Sequence, residues 1–319
     1  MINAKKTHVI INPQSASGKT AKRQNQILDM IDRKLGKGYS LFIIRNPHDA
    51  SFSIRNAISK GKTLIIVAGG DGTIQDAVNG FFSNGKLSNP ECQLGIINSG
   101  TGCGFAQTLH LPTSFEAQIQ TIINGESRAV DIGKIIYKNG DGTTKKRYFV
   151  NECQSGIGGA VVKRLSATFK RIGGFIAFGS TSVLTALRYQ GRPATVIIDG
   201  TIKVSRPLLG IVVSIGRYTG GGMDLMPLAV VDDSLLDILL IHDQPVSKRF
   251  SNFAKIYSGR HISSPEFSYY KGKKVFVSSP TSIPLEADGE YLGGLPFSVE
   301  IIPSCLQIKC SGQNNGGLT

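Results

Sequence analysis

The stretch Lys62–Thr73, KTLIIVAGGDGT, indicates the kind of fold, because an apolar run of strand-forming residues ends in a glycine turn. Apolar residues then recur with helical spacing, at Ile74, Ala77, Val78, Phe81 and Phe82. A buried strand that passes through a tight turn straight into a helix is the repeating unit of parallel α/β sheets. The stretch therefore predicts a strand, a turn and a helix in immediate succession.

The same turn has the composition of a phosphate-binding loop. Glycines let the backbone approach a phosphate closely, and the free N–H groups and the dipole of a new helix favour an anion. Asp71 stands where a carboxylate can hold Mg²⁺, although it can equally serve only as a helix cap. The predicted phosphate-binding residues are Gly69, Gly70, Asp71, Gly72 and Thr73.

Strand and helix patterns alternate from the N-terminus to about residue 125, which is the βαβ rhythm of a parallel sheet. They include an apolar run at Thr7–Asn12 and a helical stretch at Lys19–Leu35. The loop between these two ends in Gly18-Lys19-Thr20, as a P-loop does, but the P-loop pattern requires glycine where Pro13 stands. What remains is a Ser/Gly turn before a basic helix, suited either to touching phosphate or to being a solvated face.

A second loop of small residues follows the apolar run Leu94–Asn98 and includes Gly100 and Thr101. Ligands of open α/β sheets bind at the carboxyl ends of the strands, so the two loops should face the same crevice. A plain turn is the alternative for this second loop.

The second half of the chain changes to short β-rich runs joined by Asn-Gly and Asp-Gly turns, which predicts an antiparallel β domain with one helical insert at about Gly173–Tyr189. The predicted domains are 1–128 and 129–297, followed by a polar, disordered tail at 311–319.

Two groups of acids in this half are candidates for chemistry. Asp288 and Glu290 flank a turn. Of two paired carboxylates, one can accept a proton while the other holds a metal or a partner group, although a simple hairpin explains these residues too. The run Val230–Asp237 carries acids around another turn, which is either a hard-cation site or an exposed acidic turn.

The composition narrows the class of protein. The 319 residues include 36 Lys and Arg against 22 Asp and Glu, a net charge of +14, which favours anionic partners without choosing between nucleotides, nucleic acid and membranes. Five cysteines without a C-x-x-C pair support neither a disulfide framework nor a zinc site. No signal peptide or spanning segment is evident, so a cytoplasmic protein is expected. The five scattered histidines receive no role.

The ordered set of motifs resembles the diacylglycerol kinase catalytic family, specifically the bacterial lipid kinases related to sphingosine and ceramide kinases. The matching segments, over about residues 7–310, are Asn12-Pro13 with Ser17-Gly18, Gly69–Thr73 with Asn79-Gly80, Gly100-Thr101, Val130–Gly133, Gly220–Met223, Asp232-Asp233 with Leu236-Asp237, and Asp288–Glu290. NAD kinases share the first glycine motif, so the later segments carry the specificity.

The resemblance implies a fold, a reaction and site residues. The fold is a Rossmann-like α/β nucleotide domain and an antiparallel β-sandwich-like domain, as in NAD and diacylglycerol kinases, with a final strand at about 298–309 returning to the first domain. ATP would lie in the interdomain cleft against Asn12, Gly69–Thr73, Gly100 and Thr101. Asp288 and Glu290 would be the acid/base pair, with Asp131 as support. A structural Mg²⁺ would be held by Asp233 and by main-chain oxygens of Val230 and Leu235.

The expected reaction is transfer of the γ-phosphoryl group of ATP to a lipid hydroxyl, with Mg²⁺ as cofactor. The expected partners are ATP, a lipid substrate and, transiently, an anionic membrane surface, with a homodimer left open and no nucleic acid. Residues 172–187 are either an acyl-chain lining or core. Cys103 and Gly104 replace an amide and a carboxylate common in relatives, and Ser234 replaces a glycine. An NAD kinase-like enzyme and a catalytically degenerate nucleotide- or lipid-binding protein remain the alternatives.

Overall fold

The computed structural model describes residues 2–100, 103–168, 184–185 and 188–311. The chain divides into two compact units, one of Met1–Val130 with Ser304–Thr319 and the other of Asp131–Pro303. Among the described residues, none of the helices has the length and apolar character needed to cross a membrane.

The helices and strands are numbered here in chain order. The helices are α1 (Lys19–Leu35), α2 (Asp49–Ser59), α3 (Asp71–Gly80), α4 (Gly104–Thr108), α5 (Phe115–Asn124), α6 (Ile157–Thr168) and α7 (Val246–Ile256). The strands are β1 (Thr7–Ile11), β2 (Ser40–Ile43), β3 (Leu64–Gly69), β4 (Phe82–Ser83), β5 (Lys86–Leu87), β6 (Gln93–Asn98), β7 (Glu126–Lys138), β8 (Thr144–Phe149), β9 (Glu152–Gly156), β10 (Arg192–Ile198), β11 (Ile202–Ser214), β12 (Leu236–His242), β13 (Phe267–Gly272), β14 (Lys274–Ser278), β15 (Pro284–Ala287) and β16 (Glu290–Cys310).

The first unit contains a parallel sheet in the order β2, β1, β3, β6, with the end of β16 pairing alongside β6. Every residue of β1 and β3 is buried, as expected for central parallel strands that are covered on both faces. In register, Ile11 lies opposite Ala68 and Gly69 lies opposite Asn98, so the carboxyl ends of β1, β3 and β6 are neighbours.

The helices of this unit follow the predicted periodicities. Helix α1 has the predicted bounds, and its Ile27 and Ile31 are buried against strand residues and against α5. Helix α3 starts directly after β3, and the five apolar residues predicted to form its inner face and the turn beyond are all buried. The strand, turn and helix predicted from Lys62 onward are therefore confirmed.

His8 is a buried polar residue within this sheet. Its two ring nitrogens lie 2.8 Å from the hydroxyl oxygens of Ser40 and Ser53. Burial, and then the positive charge of Lys62, lower the pKa of His8 from 6.5 to about 4. The folded protein therefore holds His8 neutral at pH values where the unfolded chain would protonate it.

We expect His8 to make the first unit sensitive to acid. Because its folded pKa lies below its unfolded pKa, its contribution is complete above pH 6.5 and is lost as the pH falls toward 4. The loss is up to about 3 kcal/mol of unfolding free energy. Urea unfolding at pH 7 and pH 4.5 should show a smaller acid loss for His8→Gln than for the wild type, and equal losses would contradict this assignment.

The second unit is built from antiparallel strands. Strand β11 pairs with β10 through its first half and with β9 and β12 through its second half, while β15 pairs with both β9 and β16. The Asp199 and Asp288 turns join β10 to β11 and β15 to β16, as the hairpin interpretation predicts. An antiparallel β architecture thus follows the α/β architecture, which confirms the predicted fold class.

Three expectations fall wholly or mostly outside the described residues. The first is Thr101 as a phosphate contact. The second is the helical insert or acyl-chain lining at 172–189, of which only 184–185 and 188–189 are described. The third is the tail, which is described only at Ser311.

Candidate active site

The three predicted loops of the first unit meet at the carboxyl ends of their strands. Gly70 and Gly100 approach each other so closely that a Cβ on Gly100 would lie 2.7 Å from the Cα of Gly70. No side chain could be accommodated between the two backbones without movement. The glycine turn after β3 and the loop after β6 therefore form a single surface of backbone groups.

The loop after β1 is hydrogen-bonded to the same surface. The Asn12 amide donates to the Thr73 hydroxyl at 2.8 Å, and the Gly70 N–H donates to the Ser15 hydroxyl at 3.3 Å. The Ser15 and Thr73 hydroxyl oxygens are 3.4 Å apart. Of the predicted phosphate contacts, the structure thus brings together Asn12, the turn Gly69–Thr73 and Gly100.

Asp71 is the charged group at this junction. Its Oδ2 accepts the N–H of Gly104 at 3.3 Å, whereas its buried Oδ1 has no hydrogen-bond partner within the part of the chain that the structure describes. Burial raises the pKa of the Asp71 carboxyl, and the amides of Gly104, Phe105 and Cys103 partly offset this effect.

An unsatisfied, buried carboxylate oxygen is costly unless something binds it. Mg²⁺ is typically held by one or two carboxylates, water and substrate phosphates instead of a full protein cage. The donor set at Asp71 fits that mode of binding. Within the described ranges, no group of three or more His, Cys, Asp or Glu side chains is arranged as a complete metal cage.

The loop after β6 shows the consequence of the Cys103 substitution noted in the sequence. Cys103 has a φ of 48°, a left-handed conformation that asparagine tolerates better than most residues. Its thiol donates to the Asn98 side-chain oxygen, which also accepts the Gly100 N–H at 3.1 Å. Cys103 therefore braces the loop through its thiol group.

In the second unit, Asp288 ties the hairpin to the segment before β9. Its Oδ1 accepts the N–H groups of Asn151 and Glu152 at 3.1 and 2.8 Å, and its Oδ2 accepts the N–H of Val150 at 3.0 Å. Asp199 does the same at its own hairpin, accepting the Lys273 N–H at 2.9 Å. The bonding of Asp288 is therefore that of a positioning residue.

Glu290 is the outward carboxylate of the same hairpin. Both of its oxygens accept hydrogen bonds from the Arg147 guanidinium on β8, and 42% of its side-chain surface is exposed. A bidentate pair of this kind fixes the direction of the carboxylate. Glu290 is thus oriented and still reachable from solvent.

Two further carboxylates are buried here, Glu286 on strand β15 of the hairpin and Glu152 on strand β9, which pairs with β15. Burial, and then the negative charge of Glu152, raise the pKa of Glu286 well above its ordinary value. Glu286 accepts a hydrogen bond from the Gly289 N–H at 2.8 Å, and Glu152 accepts a hydrogen bond from the Thr219 hydroxyl. These two acids support the hairpin from the inside.

The turn at Val230–Leu235 is held in two ways that the sequence did not reveal. Asp131 is fully buried, and its carboxylate accepts the Ser234 N–H at 2.8 Å while its own N–H donates to Val231 at 2.7 Å. Asp131 therefore braces this turn. On the other side, the Lys271 ammonium lies 2.7 Å from Asp233 Oδ2, and the Asp233 Oδ1 accepts the Leu235 N–H.

The Lys271 contacts bear on the structural Mg²⁺ expected at this turn. The ammonium also lies 3.5 Å from Asp237, whose side chain is fully buried and accepts the Tyr269 hydroxyl at 2.8 Å. Asp233 therefore already has a cation from within the protein, the Lys271 ammonium. Because that ammonium occupies the position at Oδ2, the residues of this turn do not fit a metal ion at the same oxygen.

We expect Lys271→Met to destabilise the second unit by about 1–3 kcal/mol, because Asp237 and Asp233 would lose their shared cation. This is less than the 3–5 kcal/mol typical of a fully buried pair, since a third of the Lys271 side chain is exposed. The effect is measured by thermal unfolding of the Lys271 variant and the wild type, each once in EDTA and once in Mg²⁺. Lys273→Met is the control. Unchanged stability of the Lys271 variant would contradict the role of this lysine.

Two family models match successive parts of the chain. The diacylglycerol kinase catalytic domain matches residues 6–135, and the YegS C-terminal NAD kinase beta sandwich-like domain matches residues 152–310. Together the two models cover most of the chain, and residues 6–135 match the diacylglycerol kinase catalytic-domain family. The resemblance stated from the motifs is thereby confirmed, as is the predicted β-sandwich-like class of the second domain.

Curated relatives and solved structures are also similar to this chain. The chain is 29% identical over 301 residues to a diacylglycerol kinase of Staphylococcus carnosus, and the match covers 92% of this chain and 90% of the relative. It is 27% identical over 307 residues to a diacylglycerol kinase of Mycobacterium tuberculosis, and that match covers 95% of this chain and 94% of the relative. A diacylglycerol kinase structure from Bacillus anthracis superposes with a TM-score of 0.76 at 20% identity, covering 98% and 99% of the two chains. Yeast NADH kinase complexed with NADH gives a TM-score of 0.51 at 13% identity, covering 97% and 75%, so the fold is common to both kinds of kinase.

Proposed function

We propose that this protein is a lipid kinase that transfers the γ-phosphoryl group of ATP to a lipid hydroxyl, of diacylglycerol or a related lipid. The observation that carries the proposal is the Oδ1 of Asp71, which has no hydrogen-bond partner among the described residues at the junction of three loops. The match of residues 6–135 to the diacylglycerol kinase catalytic domain and the relatives named diacylglycerol kinase support the choice of a lipid acceptor.

The first unit supplies groups suited to the nucleotide. Backbone N–H groups at the start of α3 would bind phosphate oxygens, together with the side chains of Asn12, Ser15 and Thr73, which lie against one another. Asp71 would hold Mg²⁺ through its Oδ1, the oxygen that no described residue contacts by a hydrogen bond. Bound Mg²⁺ supplies positive charge to the phosphate oxygens during transfer.

The second unit supplies the carboxylates for the acceptor. Phosphoryl transfer depends mainly on positioning and charge stabilisation, so the carboxylate that receives the hydroxyl proton needs orientation more than basicity. Glu290 is oriented by Arg147 and partly exposed, which suits that role. Asp288 would hold the hairpin in place, and Asp131 would brace the turn at Ser234.

The direct test is a transfer assay with labelled ATP against extracted total lipid, with NAD and buffer as alternative acceptors. We expect a labelled lipid from the wild type and none from Asp71→Asn. A labelled dinucleotide without labelled lipid would replace the proposal with an NAD kinase-like activity, which the shared fold with NADH kinase allows. ATP binding without any transfer would indicate a degenerate nucleotide-binding protein, for which the Cys103 substitution would be the first cause to test.

A further inference from the structure

Helix α7 in the second unit presents an apolar stripe to solvent. Val246, Phe250, Phe253 and Tyr257 are 39%, 48%, 41% and 52% exposed. Their spacing of four, three and four residues places them on one side of the helix. The Phe253 and Tyr257 rings touch edge to face, with their centroids 5.7 Å apart. Large apolar side chains grouped in this way mark an interaction surface.

Another side of the same helix is anchored to the unit, so the stripe is presented rigidly. Ile256 packs against the core cluster that contains Leu225, Met226 and Phe267. Buried Asn252 donates to the Gln244 side-chain oxygen at 2.8 Å, and the Arg249 guanidinium donates to the Gln244 carbonyl at 2.9 Å. Helix α7 is therefore firmly packed against the unit, and its exposed apolar side chains do not belong to the core.

The surroundings of the stripe are positively charged. The segment 246–260 contains Lys248, Arg249, Lys255 and Arg260 and no acidic residue. Arg249 also donates to the carbonyl of Tyr189, which brings exposed Arg188 close to the first turns of the helix. Two of these cations are paired with acids that meet the helix, Lys248 with Glu266 and Arg249 with Asp243, so the excess positive charge comes from Lys255, Arg260 and Arg188.

We propose that α7 is a membrane-docking helix, whose stripe Val246, Phe250, Phe253 and Tyr257 enters the interfacial region of a bilayer that contains anionic lipids. Aromatic side chains favour the boundary between headgroups and acyl chains, and flanking Lys and Arg are attracted to anionic headgroups. This proposal rests on the proposed function, because a lipid acceptor resides in a bilayer. The positive surroundings of the stripe and the net charge of +14 favour an anionic surface over a neutral one.

The test uses the absence of tryptophan from the chain. Phe253→Trp introduces a single indole on the stripe, and Phe52→Trp introduces one at the 69% exposed Phe52 of α2 as a matched control. With vesicles of phosphatidylcholine and phosphatidylglycerol, we expect a blue shift and quenching by brominated lipid for the Phe253 variant and neither for the Phe52 variant. Raising the salt should weaken the response, because the Debye length falls from ~10 Å at 0.1 M to ~3 Å at 1 M.

Vesicle co-sedimentation measures the affinity. The double substitution Phe250→Ser and Phe253→Ser should weaken vesicle binding about tenfold or more, because it removes two aromatic side chains that would be buried in the bilayer. Phe52→Ser should not weaken binding. Co-sedimentation without a spectral change in Phe253→Trp would overturn the proposal, and so would no binding at all. A blue shift that grows with protein concentration in the absence of vesicles would show that a second copy of the chain covers the stripe.

An activity measurement separates this proposal from the proposed function. If α7 serves docking alone, the double serine variant should phosphorylate a dispersed short-chain diacylglycerol normally and lose turnover only on vesicles. Equal loss on both acceptors would overturn the docking role. If the wild type transfers phosphate to neither acceptor, the proposed function fails, while the indole fluorescence still decides whether α7 binds the bilayer.

Discussion

Asp71→Asn should lower kcat/KM for phosphoryl transfer by about 10³-fold or more, because under the proposed function it removes the charge that would hold the nucleotide-bound cation. The fold should not suffer. Burial disfavours the ionised carboxylate, and one of its oxygens lacks a partner among the described residues, so a neutral amide of the same shape should leave the melting temperature unchanged or raise it. Labelled-ATP turnover and thermal unfolding on the same preparation measure both effects.

Asp76→Asn is the matched control, because Asp76 lies on the same helix and has partners of its own. Its carboxylate accepts the Ser51 N–H at 3.2 Å and lies 3.6 Å from the His48 ring. We expect this variant to retain turnover. Normal turnover in Asp71→Asn, or equal losses in the two variants, would exclude Asp71 as the metal-directed group.

The parts of the fold that could be predicted are those with local signals. The glycine turn before α3 combines strand, turn and helix patterns within about twenty residues, and the helix at Lys19–Leu35 has a clear apolar period. The turns at Asp199 and Asp288 have hairpin composition. Each of these features depends on residues that are close together along the chain.

The contacts that define the candidate site depend on residues far apart along the chain. Arg147 and Glu290 are 143 positions apart, and Lys271 and Asp233 are 38 apart, so no spacing rule connects them. Ser15 reaches Gly70 across 55 positions. An Asp-Gly pair also looks the same whether its carboxylate only holds backbone, as at Asp199, or sits beside a candidate catalytic acid, as at Asp288.

Glu290→Gln should lower kcat by about 10² to 10⁴-fold with little change in KM for ATP, because under the proposed function it removes the carboxylate that would receive the hydroxyl proton. The side chain is partly exposed and glutamine can still accept one hydrogen bond from Arg147, so stability should change little. Steady-state kinetics measure the loss of kcat, and thermal unfolding measures whether the stability is retained. Glu300→Gln is the control on the same strand, because its ion pair with Lys134 is a surface contact.

Asp288→Asn should produce the opposite pattern and so distinguishes positioning from chemistry at this hairpin. Asparagine has one acceptor oxygen where Asp288 uses two to bind three N–H groups, so at least one buried N–H loses its partner. Each such loss costs about 1–3 kcal/mol, and the unfolding free energy of this unit should fall by that amount. If Asp288→Asn instead keeps its stability while kcat collapses, Asp288 is the proton acceptor. If both variants turn over like the wild type, the segment is only a hairpin, and the acid that serves the acceptor must be sought elsewhere in the chain.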